Sequence, residues 1–96
     1  MPTYIALLKW TSQGISRVKD SPNRLDAGRE AFKKMGVEIK DSYLTMGRYD
    51  LVCVIDAPND ETYAQAMLSL GSQGNLTTET LKAFNEDQYR KIIGSL

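Results

Sequence analysis

Apolar positions along this chain recur at a spacing of two in some blocks and near 3.6 in others, and the two patterns alternate. Tyr4-Ile5-Ala6-Leu7-Leu8-Lys9-Trp10 is short, apolar and partly β-branched or aromatic, which predicts a strand. Both of its alternating sets carry apolar residues, Ile5 and Leu7 in one and Tyr4, Leu8 and Trp10 in the other, so both faces of this strand need cover. Thr11-Ser12-Gln13-Gly14 turns the chain, and Ile15 and Val18 give one apolar edge to a short helical segment. Ser21-Pro22 reads as a helix restart, with Ser21 at the N-cap and Pro22 at the first helical position. Leu25, Gly28, Phe32 and Met35 then recur at helical spacing, and Gly36 suits a left-handed C-terminal cap.

From Val37 to Thr45 a second strand is expected, with Val37, Ile39 and Tyr43 alternating with Glu38, Lys40 and Ser42, and with Asp41 interrupting the apolar set. Gly47 lies in the connection, and Asp50 to Asp56 forms a third strand whose five central residues, Leu51 to Ile55, are all apolar. Pro58 closes it. Asn59-Asp60-Glu61 starts a second long helix with a cap and two acidic residues near the positive end of its dipole. Ala64, Met67, Leu68 and Gly71 are the expected buried stripe of that helix. Leu76 to Phe84 reads as a fourth strand, rich in threonine, and Glu86 to Ile93 as a short amphipathic helix with Tyr89, Ile92 and Ile93 on one side.

The order βαββαβ with a C-terminal helix predicts an α+β, ferredoxin-like layer: a four-stranded antiparallel sheet with both long helices on one face. Right-handed crossovers place the first and third strands at the centre, and these have the most continuous apolar runs. Helices cover only one face of such a sheet. The other apolar face is either a loosely amphipathic surface with scattered exposed hydrophobes or is covered by a second copy, and a homodimer or higher oligomer with facing sheets is expected.

Length and composition change this picture little. The 96 residues suit one domain over 1–96, and the 12 basic and 12 acidic residues balance without a run of like charge, so neither a nucleic-acid nor an anionic-membrane partner is indicated. The one cysteine, Cys53, has no partner for a disulfide and sits in an apolar run, which fits a buried thiol in a reducing, cytoplasmic compartment. No apolar stretch is long enough for a spanning helix, and no signal peptide is indicated.

Trp10-Thr11-Ser12-Gln13-Gly14-Ile15, Lys19-Asp20-Ser21-Pro22, Thr45-Met46-Gly47-Arg48-Tyr49-Asp50 and Gly74-Asn75-Leu76-Thr77-Thr78-Glu79-Thr80-Leu81-Lys82-Ala83-Phe84 together resemble the GYD family, whose Gly-x-Tyr-Asp signature corresponds to Gly47, Tyr49 and Asp50. The resemblance covers nearly the whole chain. It implies a small bacterial or archaeal protein of the dimeric α/β-barrel type, and it implies no particular reaction.

There is no histidine, which removes Ser-His-Asp and Cys-His nucleophilic sites, the usual zinc sets and an axial haem histidine. Histidine-ligated haem enzymes of the dimeric-barrel architecture are thereby set apart. The glycines are isolated and form no phosphate-binding loop. No cofactor and no metal are indicated. What remains is a polar and aromatic set at strand ends: Trp10, Tyr43, Tyr49 and Asp50, which antiparallel pairing of the first and third strands brings toward one end of the sheet. One reading is structural, with Asp50 capping the turn; the other places these residues around a cleft for a small, partly apolar ligand. Three functions stay open: a ligand-binding or sensory homodimer without catalysis; a cofactor-independent oxygenase- or isomerase-like enzyme with Asp50 as base and Tyr49 or Tyr43 as proton donor; and a structural self-assembly module.

Overall fold

The computed structural model describes residues 1–96. Its elements are β1 (Thr3–Trp10), α1 (Ser12–Ser16), a 3₁₀ turn (Val18–Asp20), α2 (Ser21–Lys34), β2 (Glu38–Leu44), β3 (Leu51–Asp56), α3 (Asp60–Ser72), β4 (Leu76–Ala83) and α4 (Glu86–Gly94). The sheet has the order β2-β3-β1-β4, and every neighbouring pair is antiparallel. This is the α+β, ferredoxin-like arrangement, with the two most apolar strands in the middle.

Parity along each strand sorts the side chains. Tyr4, Ala6 and Leu8 of β1 and Cys53 and Ile55 of β3 are buried on the helix side, with Phe32 of α2, Val37, Ala57 and Tyr63, Ala66 and Met67 of α3. Ile5, Leu7, Val52 and Val54 point the other way, where no helix lies over them; register pairs Leu7 with Val52 and Ile5 with Val54. The expected two-sided apolarity of the central strands is therefore present.

Three expectations need correction. Ser21 does not cap α2: it has helical angles (φ −55°, ψ −44°) as the first helical residue, and neither it nor Asp20 supplies a side-chain cap. The 3₁₀ turn runs straight into α2, which puts Pro22 one position deeper in the first turn, where its missing N–H is still harmless. The buried stripe of α3 is Tyr63, Ala66, Met67 and Leu70, one residue out of phase with the expected set, and Leu68 is 74% exposed. The phase is set by Tyr63, which stacks on Tyr4 at a ring separation of 3.9 Å and bonds Thr80 Oγ1 at 2.9 Å. Third, β2 carries a bulge between Ile39 and Asp41. One extra residue inverts the alternation beyond it. Ser42 thus faces Cys53 on the helix side, while Tyr43 lies opposite Val52 on the open face and is 57% exposed.

Local stops behave as the residue types dictate. Gly36 takes a positive φ of 77° after α2, and Asn59 caps α3 by accepting from Thr62 N–H at 2.8 Å. α4 opens with a reciprocal capping box between Asn85 and Gln88, yet buries none of its residues.

Candidate functional site

Gly47, in the β2–β3 connection, has φ 131°, a region closed to most side chains. The turn it permits delivers Asp50 to the end of β1. Asp50 Oδ2 accepts from Trp10 N–H at 2.9 Å, its own N–H donates to Leu8 O at 2.9 Å, and its carbonyl accepts from Thr45 N–H at 2.9 Å. Thr45 Oγ1 donates to Tyr49 O at 2.6 Å. Asp50 thus latches the ends of β1, β2 and β3 together through the backbone. It is half-buried.

Tyr49 lies on the open side. Its hydroxyl donates to Glu79 Oε2 at 2.9 Å, and Lys9 Nζ stands 5.8 Å from the ring centre. The hydrogen bond to Glu79 raises the Tyr49 pKa, so the phenol holds its proton. Of the four sequence candidates, Asp50 and Trp10 meet directly through the Trp10 amide. Tyr43 and Tyr49 are on the opposite side of the sheet from the Trp10 side chain, and no one cavity gathers all four.

The helix side holds a cavity of about 300 Å³ between the sheet, α2 and α3. Its floor is Ala6, Leu8, Leu51, Cys53 and Ile55; Trp10 and Leu76 close one end, and Gly28, Phe32, Met67 and Leu70 form the walls. The titratable side chains on its lining are Arg24 and Cys53. Burial pushes the Cys53 thiol up, and its sulfur sits 2.9 Å from Ser42 Oγ. A protonated, hydrogen-bonded core thiol is a poor nucleophile. No group of three or more His, Cys, Asp or Glu side chains is placed to hold a metal ion.

Two segments that look unrelated in sequence are interlocked at the mouth of this cavity. Thr11 N–H donates to Asn75 O at 3.0 Å, Thr11 Oγ1 donates to Gly74 O at 2.5 Å and also accepts from Gly14 N–H at 3.1 Å. Gln13 Nε2 donates to Gln73 O at 3.1 Å and to Asn75 Oδ1 at 3.0 Å. Gly14 is buried in the joint; a Cβ there would lie 2.1 Å from Asn75 O. The sequence alone reads Thr11-Ser12-Gln13-Gly14 as a turn and does not foretell its contact with Gly74 and Asn75. The available signal was a glycine inside a helical segment, which marks close packing as often as flexibility.

The GYD domain model matches residues 4–93, and the chain belongs to the GYD domain family. It is 37% identical over 84 residues to a Thermus thermophilus protein named "Glutamine synthetase and cystathionine beta-lyase binding protein", a match covering 86% of this chain and 88% of that one. Among solved structures, it is similar to TTHA0845 from Thermus thermophilus (TM-score 0.56, 26% identity, 88% of this chain and 95% of that one). It also shares its fold with FFRP-DM1 (TM-score 0.59, 20% identity, 88% of this chain and 100% of that one).

Proposed function

We infer that the chain is a non-catalytic regulatory module: a homodimer joined through the open sheet face, able to bind a small, partly apolar ligand and to act on a protein partner. The observation that carries this reading is the uncovered apolar centre of the sheet, Ile5, Leu7, Val52 and Val54, continued outward by Tyr43 and Leu81. The molecule leaves this surface open although its other sheet face is covered by α2 and α3, and contiguous apolar patches of this kind mark interaction surfaces.

Size also argues for a second contribution. Four strands about 4.8 Å apart and about seven residues long at about 3.3 Å each span roughly 440 Å², against about 800 Å² per partner for a stable interface. α4 follows directly from the edge strand β4 and carries Tyr89, Ile92 and Ile93 on one side, all exposed, with Phe84 exposed just before it and Leu96 just after. Docked on the second copy, that stripe makes up the shortfall.

Absence of catalysis fits the chemistry of the site. Asp50 is engaged with the backbone outside the cavity, and the cavity wall offers no carboxylate or phenol to move a proton. A protein partner is supported by the relative named for binding glutamine synthetase and cystathionine β-lyase. An unpaired buried Cys53 suits the cytoplasm, where those enzymes would be met; no helix is long and apolar enough to cross a membrane. The test is native mass spectrometry of the purified protein alone and mixed with each of the two enzymes. The reading expects the dimer mass alone and a complex carrying dimers with at least one enzyme. A monomer in the protein-only sample, or no complex with either enzyme, contradicts it.

A further inference from the structure

We propose that the helix-side cavity is a binding site for a small carboxylic acid with an apolar chain or ring, held by Arg24 at its head. This deepens the ligand part of the reading above and is independent of the dimer.

Three features place the body of the ligand. The cavity volume, about 300 Å³, lies at the lower end of the range for small-molecule sites. Of its 20 lining residues, 14 are hydrophobic, so the occupant is mostly apolar. Gly28 faces it from α2, and a Cβ built there meets nothing within 4 Å. A mid-helix glycine costs helix stability, and here the space it leaves is open cavity rather than a close backbone approach.

Arg24 places the head. It is half-buried on the cavity lining, one turn before Gly28, and forms no ion pair with any carboxylate of the chain. Its Nη1 donates to Arg17 O at 3.0 Å and its Nη2 to Gly14 O at 3.3 Å, which fixes the guanidinium plane at the end of α1. Those bonds use two of five N–H groups. The other three have no partner within the chain, and Gln73 and Asn75 line the same cavity. A planar guanidinium of fixed orientation favours a planar carboxylate over a hydroxyl or an amine. Because Arg24 also bonds Gly14 O, and Gly14 is keyed into Asn75, a ligand pulling on the guanidinium acts on the joint between α1 and the α3–β4 turn.

Trp10 lines the cavity and is the chain's one tryptophan, so its emission reports on occupancy. The experiment titrates the full chain with octanoate, octanol and octylamine, following Trp10 fluorescence in the wild type, Arg24→Gln and Gly28→Leu. Circular dichroism checks that each variant is folded. Octanoate should saturate and bind roughly tenfold or more tighter than octanol, as expected for a charge-assisted hydrogen bond. Arg24→Gln should abolish that preference, and Gly28→Leu, whose side chain enters the cavity from an unobstructed Cβ position, should abolish saturable binding of all three. Equal binding of octanoate and octanol by the wild type overturns the carboxylate assignment while leaving a ligand site. Saturable octanoate binding unchanged by Gly28→Leu, or no saturable binding of any probe, overturns the site itself. If Arg24→Gln does not fold, the wild-type ratio and Gly28→Leu still decide.

Discussion

Gly14→Ala probes the joint that holds α1 against the α3–β4 turn. An added Cβ would sit 2.1 Å from Asn75 O and 3.0 Å from the Asn75 carbonyl carbon, both backbone atoms that cannot swing aside as a side chain does. Relief requires the two segments to part by about 1.3 Å, from 2.1 Å to the 3.4 Å at which ordinary contact begins. Overpacking of this kind costs about 1–3 kcal/mol. The separation also stretches the 3.0 Å bond from Thr11 N–H to Asn75 O, and a hydrogen bond of this type contributes about 0.5–1.5 kcal/mol. Alanine's better helix propensity returns about 1 kcal/mol. The net is a destabilisation of about 2 kcal/mol, which for a chain of this size corresponds to a fall in Tm of about 10 °C. Guanidinium titration followed by Trp10 emission should show a lower midpoint with an unchanged slope. Gly28→Ala is the matched contrast: with no neighbour within 4 Å of its Cβ, it should stabilise by about 0.5–1 kcal/mol. If Gly14→Ala is as stable as the wild type, or if both substitutions stabilise, the joint is not held as described.

Ser21→Ala should change stability by less than about 0.5 kcal/mol, because Ser21 makes no cap bond; a loss near 1 kcal/mol in urea unfolding would restore it as the cap. Asp50→Asn keeps an oxygen for Trp10 N–H and should be mild, whereas Asp50→Ala should cost about 1–2 kcal/mol; equal effects of the two in thermal unfolding would remove Asp50 from its role as latch. Burial, with the hydrogen bond to Asp60, pushes the Tyr4 pKa from 10.0 up to about 12. Its contribution is therefore complete below pH 10 and is lost as pH rises from 10 toward 12. Tyr4→Phe should flatten the alkaline fall of the urea midpoint, although Tyr49 and Tyr63, raised in the same sense, keep part of it. Wild type and Tyr4→Phe losing stability in parallel over that range would refute this.

Strand order, the two-sided apolarity of β1 and β3, the Gly47 turn and the caps at Gly36 and Asn59 were all legible from residue type and spacing, because each follows from local chemistry. The bulge at Lys40 was not. Asp41 interrupting the apolar set was its trace, but the trace does not say which way the strand turns, and the answer decides that Tyr43 faces away from the Trp10 side chain. The phase of α3 was missed for a related reason: Ala64, Met67, Leu68 and Gly71 satisfy helical spacing as well as Tyr63, Ala66, Met67 and Leu70 do, and only the stack of Tyr63 on Tyr4, a contact between distant residues, separates them. The cavity lay outside sequence reasoning altogether, since a volume arises from how helices sit on a sheet.

The proposed dimer joins two copies through the open sheet face. Sedimentation equilibrium across a micromolar concentration series, on the wild type and Val52→Glu, tests it most directly. Val52 is the centre of the face, paired with Leu7 on one side and Tyr43 on the other, so a carboxylate there would be buried in a dimer and solvated in a monomer. The expected result is a wild-type mass of twice 10.8 kDa and a folded Val52→Glu variant at the single-chain mass. A wild type that stays monomeric throughout the series, or a Val52→Glu variant as dimeric as the wild type, would contradict it.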